Sequence, residues 1–257
     1  MMKDWKTLLW GAGLFGILAQ ISVVVGADSP APKSPHPSEP AASRSQLPDH
    51  YPFVAADMLA YCRPQPGVWV DLGSGNGGVA LALAVAEDAA ASKSTLVLLD
   101  PNAEALSEGL RSARAKGLGN RVVAVIGTAE KMPLPSESAD LVVSRGSIFF
   151  WQDPVKGLQE VYRVLRPGGK AMIGGGVGSK YPEWARQEFA RRRQGSMKPD
   201  SEEAKRFAEL RSPETFRRWA KDAGLADFQV SGEGAVRADD PHAGLGVWLR
   251  FAKQESQ

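Results

Sequence analysis

A glycine-rich turn that follows an aspartate is the part of the sequence best suited to bind a ligand. The turn, GSGNGG over 73–78, comes directly after the short apolar run VWVDL over 68–72. Glycines let the backbone approach a ligand closely, and nucleotide-like ligands bind at such turns at the carboxyl ends of parallel strands. Gly73, Gly75 and Gly78 also fit the G-x-G-x-x-G spacing of dinucleotide-binding proteins, so the glycines alone do not identify the ligand.

Asp71, two positions before the first glycine, separates the two kinds of ligand. A dinucleotide places its pyrophosphate against the turn, and a neighbouring carboxylate would repel that charge. A ligand with a cationic amino-acid end would be attracted to the same carboxylate. The aspartate therefore favours a ligand with an amino-acid end over NAD.

Strands and helices alternate along the chain in an order that positions this turn at a sheet edge. Strands are predicted at 68–72, 95–100, 121–126, 139–144, 170–173, 228–231 and 247–251. Helices are predicted at 79–90, from 103 to Gly117 or Gly119, at 154–165 and at 213–223, with a helix-rich insertion over 181–211. This alternation predicts an α/β fold with a mostly parallel seven-stranded sheet and helices on both faces. Since no helix separates the last two strands, the last one is predicted to be antiparallel.

The composition excludes several classes of protein. The chain has 257 residues with 31 Lys+Arg and 29 Asp+Glu, a net charge of +2 that gives no reason to expect nucleic-acid binding. Cys62 is the only cysteine, so an internal disulfide is impossible. His36, His50 and His242 are far apart in sequence, and no cysteine–histidine cluster has zinc spacing, so no metal site is predicted.

The first 48 residues differ in composition from the rest. Residues 7–26 are apolar and long enough to cross a bilayer as a helix, and 28–48 hold six of the 18 prolines. Three parts are predicted: an apolar signal or membrane-anchor segment over 1–27, a disordered linker over 28–48 and a single domain over 49–257. The protein is expected to associate with a membrane through 7–26, on a side the charges do not define, or to be exported after cleavage near Ala27.

Four segments of the domain, in order, resemble the class I S-adenosylmethionine-dependent methyltransferases, particularly the group with the quinone and sterol methyltransferases. They read VDLGSGNGGVALALA, LVLLD, GTAEKMPLPSESADLVVS and VYRVLRPGGKAMI, between residues 68 and 173. The resemblance implies a Rossmann-like fold, S-adenosylmethionine as cofactor and methyl transfer to a small-molecule acceptor by direct in-line displacement.

The resemblance also assigns residues to the cofactor. They are Asp71, Gly73, Ser74, Gly75, Asp100, Pro101, Thr128, Ala129, Glu130, Ser144 and Arg145. By this resemblance Asp71 orders the turn and the methionine end, Asp100 binds both ribose hydroxyls, and Pro101 packs near the adenine. Residues 128–130 read the adenine edge, although many relatives have Asp where this chain has Thr128. Two simpler roles stay open: Asp100 could cap the next helix, and Glu130 could be a solvated loop acid.

Aromatic residues after the fourth predicted strand indicate where the acceptor binds. The loop SIFFW over 147–151 suggests an apolar or aromatic acceptor near Phe150 and Trp151, with Tyr51 as a further candidate, although such rings also serve as core. The run Arg191–Arg193 is either a solvated face or a site for an anionic acceptor or lipid headgroups. The sequence pattern does not identify a general base. His50, Tyr51 and Arg145 are candidates for that role.

Two other functions remain open at this stage. A domain of this fold could bind the cofactor and have lost transfer activity, which an intact Asp71, Gly73, Gly75 and Asp100 does not exclude. An NAD-binding oxidoreductase would have the same glycine spacing, but the Asp71 carboxylate would repel the pyrophosphate of its cofactor.

Overall fold

The computed structural model describes residues 47–196, 198, 200–234 and 236–255. They form one seven-stranded sheet with the strand order β3-β2-β1-β4-β5-β7-β6. The strands are β1 (Val68–Leu72), β2 (Thr95–Asp100), β3 (Val122–Ile126), β4 (Ala139–Arg145), β5 (Leu165–Gly175), β6 (Phe228–Gly234) and β7 (Gly246–Ala252). The helices are α1 (Tyr51–Cys62), α2 (Gly78–Ala84), α3 (Ala89–Ser92), α4 (Ala103–Ala115), α5 (Pro154–Val164), α6 (Glu183–Gly195), α7 (Glu202–Leu210) and α8 (Pro213–Asp222), with a 3-10 turn at Ile148–Phe150.

The strand pairing confirms the predicted fold class. β1 pairs in parallel with β2 on one side and with β4 on the other, so the chain order reverses on either side of β1. β7 lies antiparallel between β5 and β6, as expected for a strand that no helix precedes. A ligand crevice forms where the chain order reverses in such a sheet, here at the carboxyl ends of β1 and β4.

Helices cover both faces of the sheet. α1 to α4 pack on one face, where the buried core includes Met58, Trp69, Leu98 and Leu141. α5 and α8 contact each other and the strands β5 to β7, with Leu158 and Phe216 fully buried. Because parallel strands are buried on both faces, the strand sequences are continuous apolar runs rather than alternating ones.

Two predicted boundaries are wrong, each for a local reason. The helix predicted over 79–90 ends at Ala84, because the Asp88 carboxylate accepts the N–H groups of Ala90 and Ala91 and begins the separate helix α3. The fifth strand begins at Leu165 rather than Lys170. The residues between them form a bulge in its pairing with β4, so they do not serve as a plain helix stop.

The predicted N-terminal segments lie almost wholly outside the described residues, so the signal or anchor at 1–27 and most of the linker at 28–48 remain predictions. The last two linker residues are described: Leu47 packs against the cluster of Val177, Tyr181 and Ala185, and the Tyr181 hydroxyl donates to the Pro48 carbonyl at 2.6 Å. Among the helices of the described residues, none combines the length and apolar character needed to span a membrane.

Candidate active site

A cavity of about 730 Å³ opens at the carboxyl ends of β1 to β4. Because these strands are parallel, their ends and the loops that follow them meet at this edge. The described residues on its wall are Leu72, Gly73, Gly75, Asp100, Pro101, Gly127, Thr128, Ala129, Glu130, Arg145, Gly146, Ser147, Phe150, Trp151, Gln152 and Arg193. Eight residues that the sequence assigned to the cofactor are thus on one wall. Asp71, Ser74 and Ser144 are not among the lining residues.

The glycine turn is held against β2 by its own backbone. The N–H groups of Gly73 and Ser74 both donate to the Leu99 carbonyl, at 2.7 and 3.2 Å. Gly73 has φ +68°, and a Cβ there would lie 2.2 Å from Ser147 Cβ, so only glycine fits. Gly75 has φ +52° and no heavy atom within 4 Å of its Cβ position, so its backbone faces open space on the cavity wall.

Asp100 fixes the turn from the end of β2. Its Oδ2 accepts the Gly75 N–H and its Oδ1 accepts the Asn102 N–H, both at 2.8 Å. The cap of α4 is Asn102, whose side chain accepts the N–H groups of Glu104 and Ala105, so the helix-cap role does not belong to Asp100. Each carboxylate oxygen keeps a second lone pair, with which Asp100 can accept hydroxyl groups of a ligand.

Asp71 supports the turn from behind rather than from the cavity wall. It is 2% exposed, and its Oδ2 accepts the N–H of Ala80 in the first turn of α2 at 3.0 Å. Burial raises the pKa of Asp71 to about 7 because it removes the water that would stabilise the charge, and the negative charge of Asp100 adds to the effect. The Ala80 hydrogen bond and the charge of Arg145 act in the opposite direction.

Glu130 connects two loops of the cavity and is not a free solvated acid. Its Oε1 accepts the N–H groups of Gln152 and Asp153, at 2.8 and 3.3 Å, at the start of α5. Partial burial alone would raise the pKa of Glu130, but hydrogen bonds from backbone N–H groups and from Thr128 outweigh it and lower that pKa. The carboxylate therefore holds the 128–130 loop, which lines the cavity, to the loop before α5.

Ser147, which the sequence did not single out, joins three elements at the cavity wall. Its hydroxyl donates to the Leu72 carbonyl at 3.0 Å and accepts the indole N–H of Trp151 at 3.0 Å. The hydroxyl of the fully buried Ser144 lies 2.6 Å from it. Trp151 and the 79% exposed Phe150 thus lie on the wall of the large cavity. The position of Ser147, three residues after Ser144 and just beyond the end of a strand, is the sequence feature that could have identified it.

Arg145 lies between the large cavity and the first helix. Its Nε donates to the Gly176 carbonyl at 2.9 Å, and its guanidinium lies 5.5 Å from the ring centre of Tyr51. Burial lowers the pKa of Arg145. Tyr51 packs against the turn, since a Cβ on Gly78 would lie 2.3 Å from its Cζ, and it is not one of the lining residues.

The His50 imidazole, a candidate general base, is neutral and partly buried in this structure. Burial, and then the charge of Arg145, lower its pKa to about 4, so the imidazole is neutral at pH 7. Its Nε2 is buried and has no hydrogen-bond partner among the described residues. A base must reach the proton that it removes, so a role for His50 requires one of its ring nitrogens to become accessible to the acceptor.

A second, smaller cavity of about 90 Å³ shares Arg145, Gly146 and Arg193 with the large one. Its wall also holds three phenylalanines and one more arginine: Phe149, Phe189, Phe207 and Arg211. Most of these residues belong to the helical insertion, so the strand motifs gave no indication of them. The signal that could have been followed is the run that ends at Arg193.

The structure also brings together one group that the sequence spacing concealed. The ligand atoms of Glu233, Asp240 and His242 lie within 4.8 Å of one another near the surface. His242 Nδ1 is 3.1 Å from Asp240 and 3.5 Å from Glu233, which the attraction of an exposed imidazole to two carboxylates accounts for without a metal.

Comparison with known proteins agrees with this geometry. A family model described as "Methyltransferase domain" matches residues 70–173. The 2-methyl-6-phytyl-1,4-hydroquinone methyltransferase of Spinacia oleracea is 36% identical over 122 residues, which cover 47% of this chain and 32% of the relative. The Arabidopsis thaliana enzyme of that name is 32% identical over 162 residues, 63% of this chain and 40% of the relative. The chain thus spans about a third to two fifths of these curated relatives.

A solved structure extends the likeness across the fold. The crystal structure of a candidate S-adenosyl-L-methionine-dependent methyltransferase from Methanococcus maripaludis has a TM-score of 0.64 and 26% identity. The alignment covers 84% of this chain and 90% of that one. The large cavity fits the cofactor of this family, because its volume is in the usual range for such ligands and it offers the Asp100 carboxylate and the open backbone of Gly75. Residues 70–173 thus match a methyltransferase domain, and the described fold is similar to that of an S-adenosyl-L-methionine-dependent methyltransferase.

Proposed function

We propose that the protein transfers the methyl group of S-adenosylmethionine to a small aromatic acceptor by direct in-line displacement. The observation that carries the proposal is the pair of adjoining cavities, one with Asp100 and the glycine turn and the other with three phenylalanine rings. The hydroquinone methyltransferases that resemble part of the chain act, by their names, on an aromatic ring with hydroxyl groups.

The residues on the walls have distinct tasks in this reaction. When bound, the cofactor supplies a methyl group that its sulfonium makes reactive. Asp100 would hold the ribose hydroxyls, and the 128–130 loop would contact the adenine. Asp71 holds the turn at the amino-acid end and supplies negative charge close to it. Methyl transfer then needs the acceptor to be held in line, and such positioning supplies several kcal/mol of the barrier.

Phe149 and Phe189 shape the place that the acceptor occupies. Their rings exclude water from one side of the reacting atoms and favour a flat apolar group. Gly146 lines both cavities and has φ +84° with nothing within 4 Å of its Cβ position, so this residue places no side chain between the two spaces. The acceptor would reach the methyl group across this residue.

Labelled cofactor tests the proposal. The full-length protein is incubated with S-adenosylmethionine carrying a labelled methyl group and with hydroquinones, catechols or a cell extract. The expected result is a labelled, extractable aromatic product. At cofactor concentrations that do not saturate the variant, Asp100→Ala should strongly reduce it, while Asp239→Ala, at an exposed ion pair with Arg237, should not. Cofactor binding with no labelled product would favour the binding module that lacks transfer, and NAD binding without sulfonium binding would favour the oxidoreductase.

A further inference from the structure

The second cavity combines aromatic rings with positive charge. Three guanidinium groups line it, from Arg145, Arg193 and Arg211, together with three phenyl rings and stretches of glycine backbone. Among the described residues on its wall there is no aspartate or glutamate. A cavity lined only by neutral and cationic groups favours a ligand that brings the negative charge itself.

Arg211 is the clearest of the three. Its guanidinium lies between two phenyl rings, 3.8 Å from the centre of Phe149 and 3.7 Å from that of Phe207. Its one side-chain hydrogen bond to a described residue is a long contact of 3.4 Å to the Phe207 carbonyl. Burial, and then the positive charge of Arg193, lower the pKa of Arg211 to about 10. The group stays charged at neutral pH.

Several other arginines of the domain have the ion pair that Arg211 lacks. Arg163 bonds Glu160 at 2.6 Å, Arg166 bonds Asp140 at 2.7 Å, and even the exposed Arg217 has Glu214 at 3.2 Å. No carboxylate of the described residues forms an ion pair with Arg211. Arg211 is half-buried, and a partly desolvated cation that no carboxylate balances favours a ligand that supplies the anion.

We propose that the acceptor of the reaction proposed above is an aromatic acid, whose carboxylate binds between Arg193 and Arg211 while its ring lies against Phe189, beside the stack of Arg211 with Phe149 and Phe207. This inference rests on the proposed function, because it assigns a substrate class to the same site. The cavity of about 90 Å³ is smaller than the roughly 150 Å³ that admits benzene, so it takes the acidic end and part of a ring. The rest of the acceptor then extends past Gly146 toward the cofactor cavity.

The arginines could instead serve the carboxylate of the cofactor's methionine end. Arg145 and Arg193 line both cavities and could serve either ligand. Arg211, Phe149 and Phe207 are among the lining residues of the small cavity and not of the large one. A change at Arg211 therefore separates an acceptor site from a cofactor site.

Calorimetry on the full-length protein saturated with S-adenosylhomocysteine tests the proposal. The probes are 4-hydroxybenzoate, 3,4-dihydroxybenzoate and 4-hydroxyphenylacetate, each paired with its neutral amide, and phenyl phosphate. We expect each acid to bind about tenfold to a hundredfold more tightly than its amide, since hydrogen bonds to charged groups are strong. Arg211→Met should remove this preference and leave the affinity for S-adenosylhomocysteine unchanged. The matched control is Arg218→Met, at an exposed arginine of α8 outside the cavity, which should keep the preference.

Arg211→Lys is the second variant in case the methionine variant does not fold. Lysine keeps the charge but lacks the planar group that stacks between two rings, so it should retain only part of the preference. Equal binding of acids and amides by the wild type, or no binding of either, would overturn the proposal and leave cofactor binding intact. Loss of S-adenosylhomocysteine affinity in Arg211→Met would show that the arginine binds the cofactor, and would overturn the proposal. Tighter binding of phenyl phosphate than of every acid would overturn it in favour of a phosphate-bearing acceptor. Failure of the wild type to bind S-adenosylhomocysteine would instead refute the proposed function.

Discussion

Replacing Asp71 by asparagine should change how the stability of the ligand-free protein depends on pH. An aspartate has an ordinary pKa of 3.8, and burial raises that of Asp71 to about 7 in the folded protein. Between these values the unfolded chain has released the proton and the folded chain still holds it. The free energy of unfolding therefore falls as pH rises from about 4 to 7, because the folded state binds more protons than the unfolded state.

The size of the effect follows from the shift. One pKa unit corresponds to about 1.36 kcal/mol, so a shift of about three units is worth about 4 kcal/mol. Asparagine keeps an oxygen for the Ala80 N–H but cannot ionise, so Asp71→Asn should lack this loss and be more stable than the wild type at pH 8. Asp71→Ala should show the same pH behaviour with a stability lower by about 1 kcal/mol, since it also loses the hydrogen bond.

Urea unfolding of the three proteins between pH 4.5 and 8 measures this directly. The informative quantity is the difference between the wild type and Asp71→Asn at each pH, since the other titrating groups cancel in it. If this difference in the free energy of unfolding does not change with pH, the pKa of Asp71 is not raised by burial and the reasoning is refuted. A cationic ligand should favour the ionised form, so S-adenosylmethionine should bind the wild type more tightly at pH 8 than at pH 6, and Asp71→Asn should lose this dependence.

The remaining predictions concern the turn, the ribose and the N-terminus. Asp100→Ala should weaken cofactor binding by about 2–4 kcal/mol in calorimetry, because two charge-assisted hydrogen bonds are lost, and unchanged affinity would remove the ribose role. Gly73→Ala should lower both cofactor affinity and melting temperature, since its Cβ would lie 2.2 Å from Ser147; Gly117→Ala, with φ +72° and no atom within 4 Å, should cost only the backbone strain of about 1–2 kcal/mol. Full-length protein should fractionate with membranes through residues 7–26, or be shortened near Ala27 by mass, while a chain that begins at Leu47 should not; intact protein found only in the soluble fraction would refute both versions.

The sequence was sufficient for the sheet and for much of the wall of the large cavity. Strand runs such as 95–100 are continuous and apolar, so their type and order follow from local pattern. Asp100 and the glycine turn follow from position, because a residue at the end of a parallel strand lies at the ligand edge. Asp71 shows the limit of this reasoning, since only the three-dimensional structure places its carboxylate against α2 and behind the turn.

The small cavity could not be predicted in the same way. Arg211 and Phe149 are 62 positions apart, and their contact depends on how the end of the helical insertion packs against the 3-10 turn that follows β4. No local period encodes such a contact, because it is set by tertiary packing rather than by propensity. Ser147 could not be predicted for the same reason, because its role depends on hydrogen bonds to Leu72 and Trp151, which lie in different parts of the fold.

The packing of Leu47 and Pro48 has a consequence for how the protein is handled. The Pro48 carbonyl accepts the Tyr181 hydroxyl, and Leu47 packs against the same cluster of Val177, Tyr181 and Ala185 as Phe189, which lines the small cavity. A truncation that removes them leaves the Tyr181 hydroxyl without its acceptor and uncovers one side of α6. Fusion tags and truncation points placed at residue 49 should therefore perturb acceptor affinity before they affect cofactor affinity, and a screen for the acceptor should use protein that retains these two residues.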